Sequence, residues 1–482
     1  MRTLQNYIAG EWQVPSVEVD AAVCNASTNE VLFSQKNSSE SQVEQAIRTA
    51  SALYHSGEWG SLRDGEKADA LDKFANALEN RVDEIAEADS LCTGAILKFT
   101  RTVATICPAA FRAAATMLRQ PTSDVPLAGP YGDILSERLP LGAAAIITPW
   151  NAPSGICAHK LASALAAGCP VIIKPSEWAP MSAQIIAEAS EIAGLPSGLV
   201  QVVHGAGSIG AMLTSDDRIR AVSFTGGLQG GRAVAAACAQ GIKPVQLELG
   251  GNNALVVLED ANLDAVADAV IAAMTTLNGQ WCRALGRLIV AETVQETLLD
   301  KVRHRLANVV LGDSRDEEST MGPLVHKGHL AHVQSAVAAY QALGAELIQT
   351  TVLPDLEGNF FPPTLITGLR GEQALEEIFG PVATVHSFAN EEEAIELANQ
   401  TPFGLAAYVF GTEEKAWQVA KQIRAGVIKI NDVTMLNLHA LSPRPAWGLS
   451  GLGDEGGRET FEFFRGSRVI GVAARPEGAI NE

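Results

Sequence analysis

Residues 143–177 read AAAIITPWNAPSGICAHKLASALAAGCPVIIKPSE. An apolar run, Ala143–Thr148, is followed by an alanine-rich stretch, Ile156–Ala167, and by a second apolar run, Pro170–Lys174. Short apolar runs bounded by turn residues suit strands buried on both faces, and the segment between them is long enough for a helix. Outward from this unit the pattern repeats, with a helix over Ser182–Ala193 and strands at Val200–Val203 and Ala221–Phe224. Strands alternating with helices predict crossover βαβ units and a parallel sheet. A second alternation begins after Leu249: strand Asn253–Leu258, helix Leu263–Leu277, strand Arg287–Val290, helix Gln295–Val309, then further units to about Ile430. The fold class is therefore α/β, with a Rossmann-like part and a second α/β domain.

Upstream, from Ser41 to about Ala95, apolar residues recur with helical spacing, as at Val43, Ala46, Ile47 and Ala50. Gln120–Leu139 departs from this, because Pro121, Pro126, Gly129, Pro130 and Gly132 break helices before a strand-like Asp133–Leu139. The β-branched tail Arg468–Ala474 can pair with that excursion. The 482 residues suggest two or three domains at ~150 residues each. Hydrophobic residues at 47% and charged residues at 19% exclude a disordered chain. The net charge of −20 makes nucleic acid and anionic membrane surfaces unfavourable partners. Gly142–Ile147 is far too short to span a bilayer and Met1–Gly10 lacks signal-peptide character, so a cytoplasmic location is expected. The seven cysteines, Cys24, Cys92, Cys107, Cys157, Cys169, Cys238 and Cys282, are scattered and form no disulfide framework.

The segment Gly205-Ala206-Gly207-Ser208-Ile209-Gly210 follows a strand as a dinucleotide fingerprint would, but no acidic residue ends the next strand, Arg220-Ala221-Val222-Ser223. A plain tight turn with close helix packing explains it better. Strand ends are more informative, since ligands of open α/β sheets lie beyond them. Thr148-Pro149-Trp150-Asn151, Lys174-Pro175-Ser176-Glu177, Phe224-Thr225-Gly226-Gly227 and Glu248-Leu249-Gly250-Gly251 occupy four such ends. Each alone is compatible with an ordinary turn; together they describe one crevice. Cys282 stands in the polar connection Asn278-Gly279-Gln280-Trp281-Cys282-Arg283, where it reads as either a nucleophile or a buried thiol. His326, His329 and His332 lack an i+4 pair or a nearby carboxylate, and are read as a solvated helix with no metal.

These segments, with Glu377-Ile378-Phe379-Gly380-Pro381 and Asn399 through Gly404, keep the order and approximate spacing of the aldehyde dehydrogenase superfamily over nearly the whole chain, which the sequence closely resembles. The resemblance implies Cys282 as nucleophile, Asn151 as oxyanion donor and Glu248 as activator of the hydrolytic water. It implies an NAD site built from Thr148, Pro149, Trp150, Lys174, Ser176, Glu177, Gly207, Phe224, Thr225, Gly226, Gly227, Leu249, Gly250, Glu377 and Phe379. A carboxylate at Glu177 would disfavour the 2′-phosphate of NADP. It further implies an NAD-binding domain over 1–120 and 141–250, a catalytic domain over 251–445, and oligomerisation strands in 121–140 and 466–482 that make a homodimer or homotetramer.

Three places depart from the family pattern. Gly226-Gly227-Leu228-Gln229-Gly230-Gly231 has glycines where many relatives carry a serine and a β-branched residue. Ser442-Pro443-Arg444-Pro445-Ala446-Trp447-Gly448 only loosely matches a Pro-Phe-Gly-Gly segment, and Asn252 stands where lysine is frequent. For the substrate channel the family pattern points to Ala152, Gly155, Ile156, His159, Trp281, Arg283 and Trp447. Small residues at Ala152 and Gly155 predict a wide channel for a bulky apolar or aromatic aldehyde. Alternatives are a semialdehyde, its carboxylate held by Arg283 or His159, acyl transfer to coenzyme A, and a catalytically silent structural relative.

Overall fold

The computed structural model describes residues 3–120, 125–127, 133–435, 438–439 and 442–471. Five parallel strands form the centre of the first sheet, in the spatial order Val200–Val202, Val171–Lys174, Ala143–Ile147, Ile219–Thr225, Val245–Glu248. The chain starts in the middle at Ala143–Ile147, builds outward to one side, then returns to build the other. Its strand order therefore reverses between Ala143–Ile147 and Ile219–Thr225, and at such a switch point the flanking connections diverge and leave a crevice.

All five residues of Ala143–Ile147 are buried, because helices cover both faces of the sheet. The helix Pro153–Ala167 opens with proline at its first position and stops at Gly168, whose φ of 98° is left-handed. Nearly all of it is buried, which its alanines and leucines permit.

Both edges of this sheet are antiparallel. The hairpin Asn6–Ile8 and Glu11–Gln13 covers one, and Gly451–Leu452 covers the other. Neither was legible in the sequence, since two or three residues are too few to show a period. Residues 446–465 likewise had no assigned place. They return to the first sheet, and the helix Gly457–Phe463 packs on Pro153–Ala167.

The second sheet runs Glu346–Ile348, Thr364–Thr367, Val382–Phe388, Leu285–Ala291, Asn253–Val257, Ala406–Phe410, Val427–Ile430. Only its first pair is antiparallel. In a third, smaller sheet Ile134–Pro140 pairs antiparallel with Val125–Leu127 on one side and Arg465–Gly471 on the other. The expected tail strand thus begins at Arg465, and residues 472–482 lie outside the described residues. Among the described residues no helix is long and apolar enough to cross a membrane.

One side chain makes three hydrogen bonds at the junction between the helical layer and the second sheet, beside the Ser90–Ser314 hydroxyl pair at 3.1 Å and the Leu97 N–H on the Ser314 carbonyl at 2.7 Å. Asn278 Nδ2 donates to the carbonyls of Gly94 and Pro323, both at 2.8 Å, and its Oδ1 accepts the Gly322 N–H at 2.9 Å. Asn278→Ala leaves three buried backbone groups without partners, each costing about 1–3 kcal/mol. The thermal unfolding midpoint should fall by roughly 4–8 °C or more. An unchanged midpoint would show that the junction holds without Asn278, through Ser314 and apolar packing.

Candidate active site

At the switch point, three adjacent strands end in Thr148, Thr225 and Glu248, with Phe224 in register with Ile147 and Thr225 with Glu248. Thr148 Oγ1, Thr225 Oγ1 and Glu248 Oε1 are all buried without a protein partner. Leaving such groups unpaired is costly, so this row of polar atoms fits a polar ligand lying across the strand ends.

The glycines beyond Thr225 are set by Phe224. A Cβ on Gly226 or Gly230 would come within 2.7 or 2.9 Å of the Phe224 ring, so the ring occupies the space that side chains there would need. Gly227 differs, because a Cβ there would meet nothing within 4 Å. It caps the helix Leu228–Gln240 without a side-chain hydrogen bond, which leaves a helix N-terminus suited to a phosphate. Gly207 is equally open and begins the helix Gly207–Ser215.

One strand further out, the buried Lys174 Nζ lies 3.4 Å from Glu177 Oε2. Burial lowers the Lys174 ammonium while Glu177 opposes that shift. Ser176 Oγ accepts the Trp178 N–H and shapes the turn. Leu249 presses on the same helix start, its Cδ2 2.5 Å from where a Gly231 Cβ would stand.

The nucleophile candidate comes from the other sheet. After the helix Leu263–Thr275 the chain turns through three left-handed residues, Leu277, Asn278 and Gly279, with φ of 49°, 58° and 72°. Gly279 has no substitute there, since a Cβ would lie 2.3 Å from the Pro381 nitrogen. Cys282 then emerges half-buried. Burial pushes its thiol up to about 12; the Arg283 charge opposes this, and Glu248, Glu377 and Glu455 reinforce it. Asn151 Nδ2 donates to the Gln280 carbonyl at 2.9 Å. An amide nitrogen carries two hydrogens, so the second remains for an oxyanion beside Cys282.

Glu248 is buried against a charged cluster. Burial raises its carboxyl above the usual range and Glu455 adds to the rise, while Lys160, Arg444 and Arg283 act against it. Burial would raise Glu455 too, but the Arg444 and Lys160 charges outweigh it and hold that carboxyl well below the usual range. Lys160 and Arg444 each lie 3.3 Å from Glu455, and Lys160 Nζ also donates to Ser223 Oγ at 2.7 Å.

Glu377 approaches from the second sheet's side. Its Oε1 accepts the Gly251 N–H at 2.8 Å, and burial raises it to about 7. Gly250 makes that approach possible, since a Cβ there would fall 1.7 Å from Glu377 Oε2. Phe379 holds a left-handed φ of 56°, costly for an aromatic residue. Its carbonyl accepts from His329 Nε2 at 2.8 Å, and its ring stands edge-on to Trp150 at 5.3 Å. The histidine helix is therefore not simply solvated: His326 stacks on Trp178 at 3.9 Å and His329 closes the Phe379 loop. No metal-binding cluster occurs among the described residues.

The channel residues divide. Ala152, Ile156 and Trp281 join Val103, Phe99 and Met435 in an apolar cluster that includes Cys282. Gly155 opens no space: a Cβ there would lie 3.0 Å from Val103 Cγ1, so the expected width is filled by the helix Leu97–Ala104. His159 is engaged elsewhere, its Nε2 2.9 Å from Arg444 Nη2, with burial and the Arg444 charge pushing the ring down to about 3. A neutral ring already bonded to Arg444 is a poor carboxylate binder, which corrects that expectation. Trp447 is exposed and pairs with Gly404 rather than joining the cluster around Cys282. Sequence reasoning missed Phe99, Val103 and Met435, and also Lys160, Arg444 and Glu455. Lys160, directly after His159 on an otherwise apolar helix, was the one available signal.

The aldehyde dehydrogenase family matches residues 12–470. The chain is 33% identical to a non-phosphorylating aspartate-semialdehyde dehydrogenase of Halomonas elongata, covering 94% of this chain and 92% of that one. It is 32% identical to a glutarate-semialdehyde dehydrogenase of Pseudomonas aeruginosa, covering 95% of each. A crystal structure of betaine aldehyde dehydrogenase from Staphylococcus aureus in complex with NAD+ superposes with a TM-score of 0.94 at 29% identity, covering 98% of this chain and 95% of that one. A half-buried thiol, a side-chain amide and a buried carboxyl around the cleft accord with that match over almost the full length: the chain belongs to the aldehyde dehydrogenase family.

Proposed function

We propose that the protein oxidises an aldehyde to its carboxylic acid with NAD+, through Cys282, Asn151 and Glu248. The observation that carries this reading is the meeting of the three groups: the half-buried Cys282 lies within the electrostatic reach of Glu248, and Asn151 bonds the backbone two residues before it. Cys282 loses its proton to solvent and attacks the carbonyl carbon as the thiolate, and the free N–H of the Asn151 amide supports the oxyanion that forms. Bound NAD+ supplies the acceptor for the hydride that leaves this carbon. Glu248 then takes a proton from the water that cleaves the thioester. Retention of a buried carboxyl at this position favours hydrolysis over transfer to coenzyme A.

The strand-end groups support the dinucleotide site. Thr148 and Thr225 offer unpaired hydroxyls, Gly227 an open helix start, and the Lys174 and Glu177 pair a binder for ribose hydroxyls. Several structural relatives were crystallised with NAD+. We assign this site to the first sheet and its helices, and the nucleophile to the second. The apolar cluster of Phe99, Val103, Ala152, Ile156, Trp281 and Met435 suits the hydrocarbon part of the aldehyde. Leu135, Val469 and Ile470 are exposed on the small antiparallel sheet, which supports a homo-oligomer formed through it.

Cys282→Ala should abolish oxidation. Glu248→Gln should give a burst of about one NADH per site and then stall at the thioester. Because the raised Glu248 carboxyl must ionise to serve as a base, the hydrolytic rate should climb with pH through the neutral range, and the glutamine variant should lose that climb. Normal turnover by that variant would remove Glu248 from the mechanism.

Glu177→Ala should lower the ratio of NAD to NADP efficiency by about an order of magnitude, or ~1.4 kcal/mol. An unchanged ratio would mean that another group reads the ribose. Replacing Val469 and Ile470 together by aspartate should lower the mass measured by light scattering. An unchanged mass would place the subunit contact elsewhere.

A further inference from the structure

Three cations, Lys160, Arg444 and Arg283, act on the Glu248 carboxyl, with Lys429 beyond Arg283, and all but Arg283 are committed. Lys160 is completely buried and shared between Glu455 at 3.3 Å and Ser223 Oγ at 2.7 Å. Arg444 spans Glu455 at 3.3 Å and His159 at 2.9 Å. Lys429 faces Asp432 at 3.8 Å and Thr434 Oγ1 at 3.3 Å. Arg283 differs. Its carbonyl accepts from Tyr408 Oη at 2.7 Å, but among the described residues no side chain or carbonyl bonds its guanidinium. That guanidinium is half-buried and close enough for its charge to act on Cys282, Glu248 and Lys429.

From this we infer that Arg283 binds a carboxylate at the far end of the substrate, so that the aldehyde oxidised is a semialdehyde with a short hydrocarbon spacer. The inference rests on the aldehyde oxidation proposed above. A guanidinium presents N–H groups in a planar fork that a carboxylate matches with two parallel bonds, and a partly buried one gains most from such a partner. The local carboxyls do not repel the anion strongly. Burial favours the neutral form of Glu248 and Glu377, and the Glu455 charge is balanced by Lys160 and Arg444. Phe99, Ile156, Trp281 and Met435 flank the thiol with apolar surface, where a spacer can lie. Because Arg283 directly follows Cys282, with Cα atoms about 3.8 Å apart, the reach of one arginine side chain limits the spacer to roughly two to four carbons.

The test compares wild-type enzyme and NAD+ with succinic or glutaric semialdehyde and with uncharged aldehydes of the same length. The wild type should favour the carboxylated aldehyde at least about tenfold in kcat/KM. Arg283→Gln should reduce that ratio about tenfold, chiefly through KM, with Arg283→Lys recovering part of it. Should the glutamine variant fold poorly, inhibition of the wild type by valerate against valeramide gives the same discrimination, with valerate expected to be the tighter by about tenfold. Equal loss of both substrate classes in Arg283→Gln would overturn the inference and make Arg283 a group that acts only on the thiol. A wild type that prefers the uncharged aldehyde overturns it too, leaving aldehyde oxidation in place. NADH formation from neither class would instead sink the proposed activity itself.

Discussion

Four successive carbonyls, those of residues 280–283, are each fixed by a donor, and the rest of the site depends on this. Asn151 holds Gln280, the Ala284 N–H holds Trp281, Asn253 holds Cys282 and Tyr408 holds Arg283. Three of these donors are side chains from separate elements: the helix start after Ala143–Ile147 and two strands of the second sheet. The left-handed turn at Leu277–Gly279 is affordable only because Asn278 satisfies the groups it exposes. A thiol mounted this way has little freedom to drift, which suits the nucleophilic role proposed for it, since small displacements of reacting atoms carry large kinetic penalties.

The electrostatic arrangement follows from the same crowding. Glu248 and Glu455 cannot both ionise easily in a buried space, and the two nearest cations, Lys160 and Arg444, lie on Glu455. The proton is thereby directed to Glu248, whose carboxyl is raised above that of a free glutamate, as the base role proposed for it requires. Glu377 reaches a comparable state by burial alone, relieved only by the Gly251 N–H. Strain at Phe379 is held by His329 from a helix that contributes nothing to the nucleophile. The two sides of the cleft are thus stabilised by different means, ion pairing on one and backbone hydrogen bonding on the other.

The parallel sheets were legible because their strands are buried on both faces and read as apolar runs between helical stretches, as at Ala143–Thr148 and Pro170–Lys174. The edge strands were not, since Asn6–Ile8 and Gly451–Leu452 are too short to carry a period and gain their order from the strands they flank. The motif segments were legible as turns, and the resemblance to a family attached roles to them. What went astray was the channel: a glycine at 155 implies space only if nothing else fills it, and Val103 does.

Readable from the chain alone were the α/β class, the placing of polar clusters at strand ends, and the polar connection in which Cys282 stands. These are local properties, written in composition and spacing over a few residues. Which charges face one another was settled by packing between distant segments. The pairing of Glu455 with Lys160 and Arg444 and the engagement of His159 join segments far apart in the chain, and among the described residues they leave the Arg283 guanidinium without a partner. Charge acts through space, so its partners depend on how the two sheets and the returning C-terminal segment pack, and that packing is not written at any one position.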